Sequence, residues 1–201
     1  KISHIELPVT KLLPKNNIDK KKINSFLKKL KKYKIKISSI QAIYYNKNLN
    51  VLNKNHLKKN FNHLKKIITI TKLLDAKYII FGSPLNRKRN NLTLEKSNKV
   101  FQSLLSKINK LLSINKIYFL IEPNSKHYGC DYLNNSDQVL KFIKKKKFSN
   151  IFINLDTGNA NLEKDNLNFD KKDQIYFKNI QVSEKNLVGL SNNIKKHKKI
   201  L

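Results

Sequence analysis

The chain has one cysteine, four glycines and few acids, and it contains no long apolar run. A single Cys130 cannot form an internal disulfide, and it excludes a zinc ion held by several thiolates. One cysteine suits a reducing compartment, so the cytoplasm is the expected location. No stretch approaches the roughly 18 apolar residues that a membrane-crossing helix requires, so no membrane contact is expected. The opening, Lys1-Ile2-Ser3-His4, has no apolar signal-peptide core and already reads as strand. It begins with Lys rather than Met, the expectation for a segment whose true start lies upstream. No Gly-x-Gly-x-x-Gly follows any strand, which argues against a dinucleotide-binding open sheet. No Ser/Gly-rich linker or repeat divides the chain. Residues 1–201 are therefore expected to form one domain, a length sufficient for a hydrophobic core.

The scarcity of acids leaves a net charge of +30. Such a charge invites a nucleic-acid partner. Composition argues against it. The excess Lys is matched by excess Asn and Ile, as an AT-rich coding sequence produces. Arg, whose planar fork reads phosphates and bases, occurs only at positions 87 and 89. Lysine runs such as Lys20-Lys21-Lys22 and Lys144-Lys145-Lys146-Lys147 read as solvated helix faces.

What the chain does have is a strand–helix alternation from end to end. Ile2 to Leu7 reads as a strand stopped by Pro8. Lys20 to Lys32 reads as a helix with Ile23, Phe26, Leu27 and Leu30 on one face. Further strands are expected at 35–40, 77–81, 117–121, 151–156 and 180–183. Further helices are expected at 57–74, 94–112 and 136–144, the last with Ser136 as N-cap, and a short helical tail at the end. His56 and His63, seven apart, should share the solvent side of the long helix at 57–74. Strands recur at intervals of roughly 28 to 42 residues, the rhythm of βαβ units in a parallel sheet. Their apolar runs suit a sheet covered on both faces. Six strands fall short of the eight in a full barrel of about 250 residues. The expected fold is thus an α/β TIM-type barrel of parallel strands, incomplete, with the first and last strands missing. Open edges make association into a homo-oligomer an expectation as well.

Two of these strands end in an acid. Ile117-Tyr118-Phe119-Leu120-Ile121 runs into Glu122-Pro123-Asn124, and Ile151-Phe152-Ile153-Asn154-Leu155 runs into Asp156-Thr157-Gly158-Asn159. A carboxylate at the C-terminal end of a buried barrel strand is carried out of the core onto the face where such barrels work. Two on nearby strands can share one divalent ion. Each can also cap the helix that follows, where a carboxylate favours the first N–H groups.

Five segments, in order, carry a resemblance: Phe81-Gly82-Ser83-Pro84-Leu85-Asn86-Arg87, Ile121-Glu122-Pro123-Asn124, Tyr128-Gly129-Cys130-Asp131-Tyr132, Leu155-Asp156-Thr157-Gly158-Asn159 and Val182-Ser183-Glu184. Together they resemble the xylose isomerase-like TIM barrels of the sugar phosphate isomerase/epimerase superfamily, from Ile5 to about His197. The resemblance implies an isomerase or epimerase acting on a sugar or small hydroxy-carbonyl compound. It implies one divalent ion (manganese, magnesium, zinc or cobalt) held by two acids, a His and a final Glu. Glu122 matches the first metal ligand and Asp156 the second, with Glu122 also the catalytic base beside the ion. The metal acts there as a Lewis acid on the carbonyl, and the carboxylate moves a proton on the adjoining carbon. The sequence departs from the pattern at Gln181, where His is usual and an amide oxygen is a weaker ligand, and at Asn159, where His is also common. The pattern also calls for a first strand before Lys1 and a final strand with its Glu after Leu201.

Further candidates for substrate contact are Glu6 and Gln41 at strand ends, Arg87 for an anionic group, and Asn124 for hydroxyls. His127, Asn159 and Glu184 complete the set. Each has an ordinary structural alternative: a solvated Arg in a basic loop, a surface His. Two other functions remain open. One is a sugar- or anion-binding barrel without turnover, favoured by Gln181 and Asn159. The other is an apurinic-site endonuclease, disfavoured because that relative needs three zinc ions and many more His ligands than the five present.

Overall fold

The computed structural model describes residues 2–14 and 17–189. Six strands lie side by side in chain order, every neighbouring pair parallel: β1 (His4–Pro8), β2 (Lys36–Gln41), β3 (Tyr78–Phe81), β4 (Tyr118–Ile121), β5 (Ile151–Asp156) and β6 (Phe177–Gln181). Between them run α1 (Val9–Leu12), α2 (Lys20–Lys32), α3 (Leu57–Leu73), α4 (Leu94–Asn115), α5 (Ser136–Lys146), α6 (Thr157–Glu163) and α7 (Lys171–Gln174). The result is an incomplete α/β TIM-type barrel, a curled half-barrel. Its edge strands β1 and β6 share no ladder, yet the Gln181 amide on β6 donates to the Glu6 carboxylate on β1.

Alternation along the strands divides the interior in two. Ile79, Phe81, Phe119, Ile121, Ile151 and Ile153 face the helices and join Leu64, Ile67, Phe101, Leu104, Leu105 and Ile143 in one core. Phe81 is its centre: its ring lies 5.6 Å from those of Tyr44 and Phe101 and 5.5 Å from that of Phe119. The alternate residues face the inside of the curl, where the Tyr118 ring sits 6.0 Å from Tyr78 and 5.4 Å from Phe152. Above this aromatic floor come Ile80 and Leu120, and beyond them the inward positions turn polar.

Two register shifts bring polar side chains inward on the edge strands. The β1–β2 pairing runs Ile5↔Ile37, then Glu6↔Ser39, so Ser38 is the extra residue. The β5–β6 pairing runs Ile153↔Phe177, then Asn154↔Asn179, with Lys178 extra. Without these bulges a strict period of two would turn Ser39 and Asn179 toward the helices.

Several local expectations are corrected. His63 does not face solvent: it is 9% exposed, its Nε2 lies 2.8 Å from the Ile43 carbonyl, and its ring packs edge-on against Tyr44. Burial pushes its imidazole down to about 4, so it stays neutral in the core. The N-cap of α5 is Asn135, whose side chain accepts from the Gln138 N–H at 3.0 Å; Ser136 is the first helical residue. β6 begins at Phe177 rather than at 180. The expected helical tail is a single 3-10 turn at Lys185–Leu187 as far as residue 189, and the rest of it lies outside the described residues.

Phe81→Ala empties the centre of the core and should cost about 3–5 kcal/mol in urea unfolding. Ile114→Ala, at a residue 68% exposed, should stay within about 0.5 kcal/mol. Equal effects would show that the core is not organised around Phe81.

Candidate functional site

The C-terminal mouth of the curl holds three carboxylates and a set of amides. Glu122 directly follows β4, with its N–H donated to the Phe81 carbonyl at 3.0 Å. Its carboxylate leans over the end of β3, where residue 82 is glycine. A Cβ there would stand 3.0 Å from Glu122 Oε1. Asp156 ends β5. Its Oδ1 accepts the Asn159 N–H at 2.7 Å, so it caps α6, and both its oxygens accept from the Ser183 hydroxyl at 2.9 and 2.8 Å. Asp156 is thus cap and mouth residue together. Glu122, followed by Pro and a loop, caps nothing.

Amides connect the acids. Asn124 Nδ2 donates to Glu122 Oε1 at 2.8 Å, and Asn154 Nδ2 donates to Oε2 at 3.0 Å. Asn159 Nδ2 reaches Glu122 Oε1 at 3.4 Å and Asp156 Oδ1 at 3.1 Å. Asn154 also donates to Gln181 Oε1 at 2.5 Å and accepts from Asn179 Nδ2 at 2.7 Å. Gln181 in turn donates to Glu6, whose other oxygen takes the Ser39 hydroxyl. One chain of hydrogen bonds therefore runs from β2 through β1, β6, β5 and β4 to the start of α6.

The structure gathers Glu6, Glu122, Asn124, Asp156, Asn159 and Gln181 into this network. Three other expected residues, Gln41, Arg87 and His127, stand apart from its side-chain bonds, and Glu184 lies beside it. Gln41 is partly exposed at the end of β2, opposite Pro8. Arg87 is not in an open loop: it is 0% exposed, with its guanidinium carbon 5.6 Å from the Phe81 ring centre and Nη2 donating to the Glu122 carbonyl at 2.6 Å. It holds the backbone of Glu122 from below and is out of reach of a dissolved anion. His127 is exposed on a 3-10 turn, its ring against Tyr128. Glu184 is partly exposed, and its carbonyl approaches Gly158 so closely that a Cβ there would fall 2.8 Å from it. Ser39, Asn154, Asn179 and Ser183 belong to the network without having been singled out as site residues. For Asn154 the signal was available: it stands two residues before Asp156, hence on the same strand face.

The profile described as xylose isomerase-like TIM barrel matches residues 2–197. The chain belongs to that family. No curated protein matches it. Among solved structures, D-psicose 3-epimerase in the presence of D-fructose aligns with a TM-score of 0.75 at 15% identity, over 90% of this chain and 63% of that one. An AP endonuclease, family 2, from Brucella melitensis aligns at 0.68 and 12% identity, over 98% and 76%. The IOLI protein with a binding zinc atom aligns at 0.65 and 14%, over 94% and 67%. At these identities the likeness is one of fold. The xylose isomerase-like chain described here thus spans 63% of the epimerase's length.

The family's divalent ion would fall to Glu122, Asp156 and Gln181. The donors present do not fit it. Among the described residues no three His, Cys, Asp or Glu side chains converge on one point. The oxygens of both acids already accept amide or hydroxyl hydrogens, and the Asn159 amide nitrogen lies between them.

Burial pushes the Glu122 carboxyl up to about 7, with the Asp156 charge adding to the effect. The hydrogen bond from Asn124, the Arg87 charge and the hydrogen bond from Asn154 pull it back. The unfolded chain releases this proton near 4.5 and the folded chain near 7. Between those values the folded state binds more protons, so stability falls as pH rises through the window and levels off above it. The loss is on the order of 3 kcal/mol. His63 contributes the opposite slope, a stability present above pH 6.5 and lost as pH falls toward 4. Comparing wild type with Glu122→Gln cancels the His63 term. The variant should gain about 3 kcal/mol relative to wild type between pH 4.5 and 8, read by urea unfolding. A difference independent of pH would contradict the shift.

Proposed function

We propose that this barrel mouth acts on a small sugar or related hydroxy-carbonyl compound as an isomerase or epimerase, with Glu122 moving the proton. The observation that carries this reading is the placement of Glu122. Glu122 is a partly exposed residue at the mouth, on the end of a rigid strand, with its carboxylate hydrogen-bonded by amides. The carboxylate takes a proton from the carbon beside the substrate carbonyl, leaving an enediolate. It returns that proton to the neighbouring carbon in an isomerase, as the hydroxyl proton shifts between the two substrate oxygens; in an epimerase a second acid on the opposite face protonates the same carbon while Glu122 keeps the first proton. A proton affinity near neutrality suits both halves of the cycle. Charge developing on the enediolate oxygen needs a donor already in place. Among the described residues the Gln181 amide donates only to Glu6 and the Asn179 amide only to Asn154, and a second N–H on either is the donor proposed for the substrate oxygen. No step is assigned to a metal ion, because the donor set does not suit one.

A binding barrel without turnover is the second reading, supported by the amides at Gln181 and Asn159, where the family pattern favours His. The endonuclease reading draws support only from a shared fold, and the described residues offer no His cluster for it.

Full-length protein incubated with D-fructose in deuterated buffer should incorporate deuterium at the carbon next to the carbonyl, followed by proton NMR. Glu122→Gln should slow that exchange at least about 100-fold. Exchange at the wild-type rate in the variant would refute Glu122 as the base. Ligand-induced thermal stabilisation with no exchange in either protein would establish the binding barrel instead.

A further inference from the structure

We infer that the side-chain amide of Asn159 takes the place of a cation between Glu122 and Asp156, so that this mouth is a hydrogen-bonding site without a resident metal. The inference depends on the proton-transfer reading for its functional meaning, but its geometry stands alone.

Two like charges on adjacent strand ends need something positive between them. In this chain that place holds the Asn159 Nδ2, 3.4 Å from Glu122 Oε1 and 3.1 Å from Asp156 Oδ1. Nitrogen and oxygen of a side-chain amide are told apart by their partners. Here the partner is decisive: Asn159 Oδ1 accepts the backbone N–H of Ser125 at 2.9 Å. A backbone N–H can only donate, so the amide oxygen must face Ser125 and the NH2 group must face the acids. The flipped amide would set NH2 against N–H on one side and a carbonyl oxygen against two carboxylates on the other.

The residue is also held from its own backbone. Its N–H donates to Asp156 in the first turn of α6, and the residue is 9% exposed. Its side chain cannot swing out without breaking the bond to Ser125 and its contacts with both acids. A hard divalent ion requires several oxygens at about 2.0–2.6 Å and leaves no room for an amide nitrogen in the same gap. The remaining positions are taken too. Asn154 covers Glu122 Oε2, and the Ser183 hydroxyl touches both oxygens of Asp156. Ser183 is itself positioned by its N–H to Thr157 Oγ1 at 2.9 Å and by the Gly158 N–H on its hydroxyl at 3.0 Å. Asn159 is therefore a positioning residue: it fixes two carboxylates at once and supplies hydrogens where an ion would supply charge.

The test is a manganese titration of the full-length protein, read as loss of the free-ion signal in electron paramagnetic resonance. Wild type, Glu122→Gln, Asn159→Asp and Asn159→Ala are compared. Wild type should bind no ion that depends on Glu122 up to about 1 mM. Asn159→Asp exchanges the amide for a third carboxylate and should bind at least about 10-fold tighter, since oxygen-rich sets suit hard ions. Should three carboxylates prevent Asn159→Asp from folding, Asn159→Ala removes the amide without adding charge. Its melting temperature should then rise with added manganese, while that of wild type does not. The inference is overturned if wild type binds one manganese at micromolar concentration and Glu122→Gln abolishes it. Because binding is read directly, this outcome is separate from the deuterium exchange. Absence of both exchange and ion binding would remove the proton-transfer reading and leave the role of Asn159 intact.

Discussion

A carboxylate taken partly out of water must find hydrogen-bond donors, and Glu122 finds all of its donors in amides. Asn124 and Asn159 meet one oxygen and Asn154 the other. Much of the upper barrel follows from this requirement. Asn154 can serve only because β5 places an amide where its neighbours place Ile and Leu. Its own carbonyl oxygen then needs Asn179, which is inward only because of the bulge at Lys178. Gln181 follows on the same face and reaches across the open side of the curl to Glu6. A group buried without such partners would cost several kcal/mol. The network is thus a structural necessity before it is a functional one, and it links the two edge strands that no ladder joins.

The outer layer is governed by a different constraint. Helices with apolar stripes need a flat apolar surface, and alternate strand residues supply it around Phe81. Arg87 joins the two layers. Its guanidinium carbon lies 5.6 Å from the centre of the Phe81 ring while one nitrogen holds the Glu122 carbonyl. Two of its nitrogens, Nε and Nη1, are buried without a hydrogen-bond partner among the described residues. Arginine offers several donors on a planar, weakly hydrated head, which suits a fully buried cation that must also reach a carbonyl. In a chain that uses Lys almost everywhere, this Arg is explained by shape.

The alternation of strands and helices was readable from the sequence because periodic apolar stripes are long and redundant. The acids at strand ends were readable because each breaks an apolar run abruptly. What escaped was anything set by register. Ser39 and Asn179 depend on bulges, which leave no mark in a pattern of apolar and polar residues. The burial of His63 was missed because a lone His on an amphipathic helix counts as polar, whereas a carbonyl from the β2–α3 loop satisfies it. Arg87 was placed in the correct loop but on the wrong side of it. Short-range sequence does not reveal that Phe81, six residues earlier, would draw the guanidinium inward. The family pattern located Gln181 and Asn159 as departures. Only coordinates show that the two belong to one network, each donating to a carboxylate.

The charge balance bears on what that network is for. Lysine is abundant, yet the ion pairs among the described residues lie at the periphery, as in Lys99–Glu95, Lys141–Asp137 and Lys144–Asp173. None of these pairs involves Glu6, Glu122 or Asp156. The difference matters for chemistry. A lysine against Glu122 would hold its carboxyl well below the usual range, a poor acceptor of protons at neutral pH. Amides satisfy the same oxygens with partial charges only. Burial and the neighbouring Asp156 then dominate, and the carboxyl rises toward neutrality. A mouth built to pass a proton back and forth needs a carboxylate that is held in place but not pinned in its charged form, and amides are the side chains that do this.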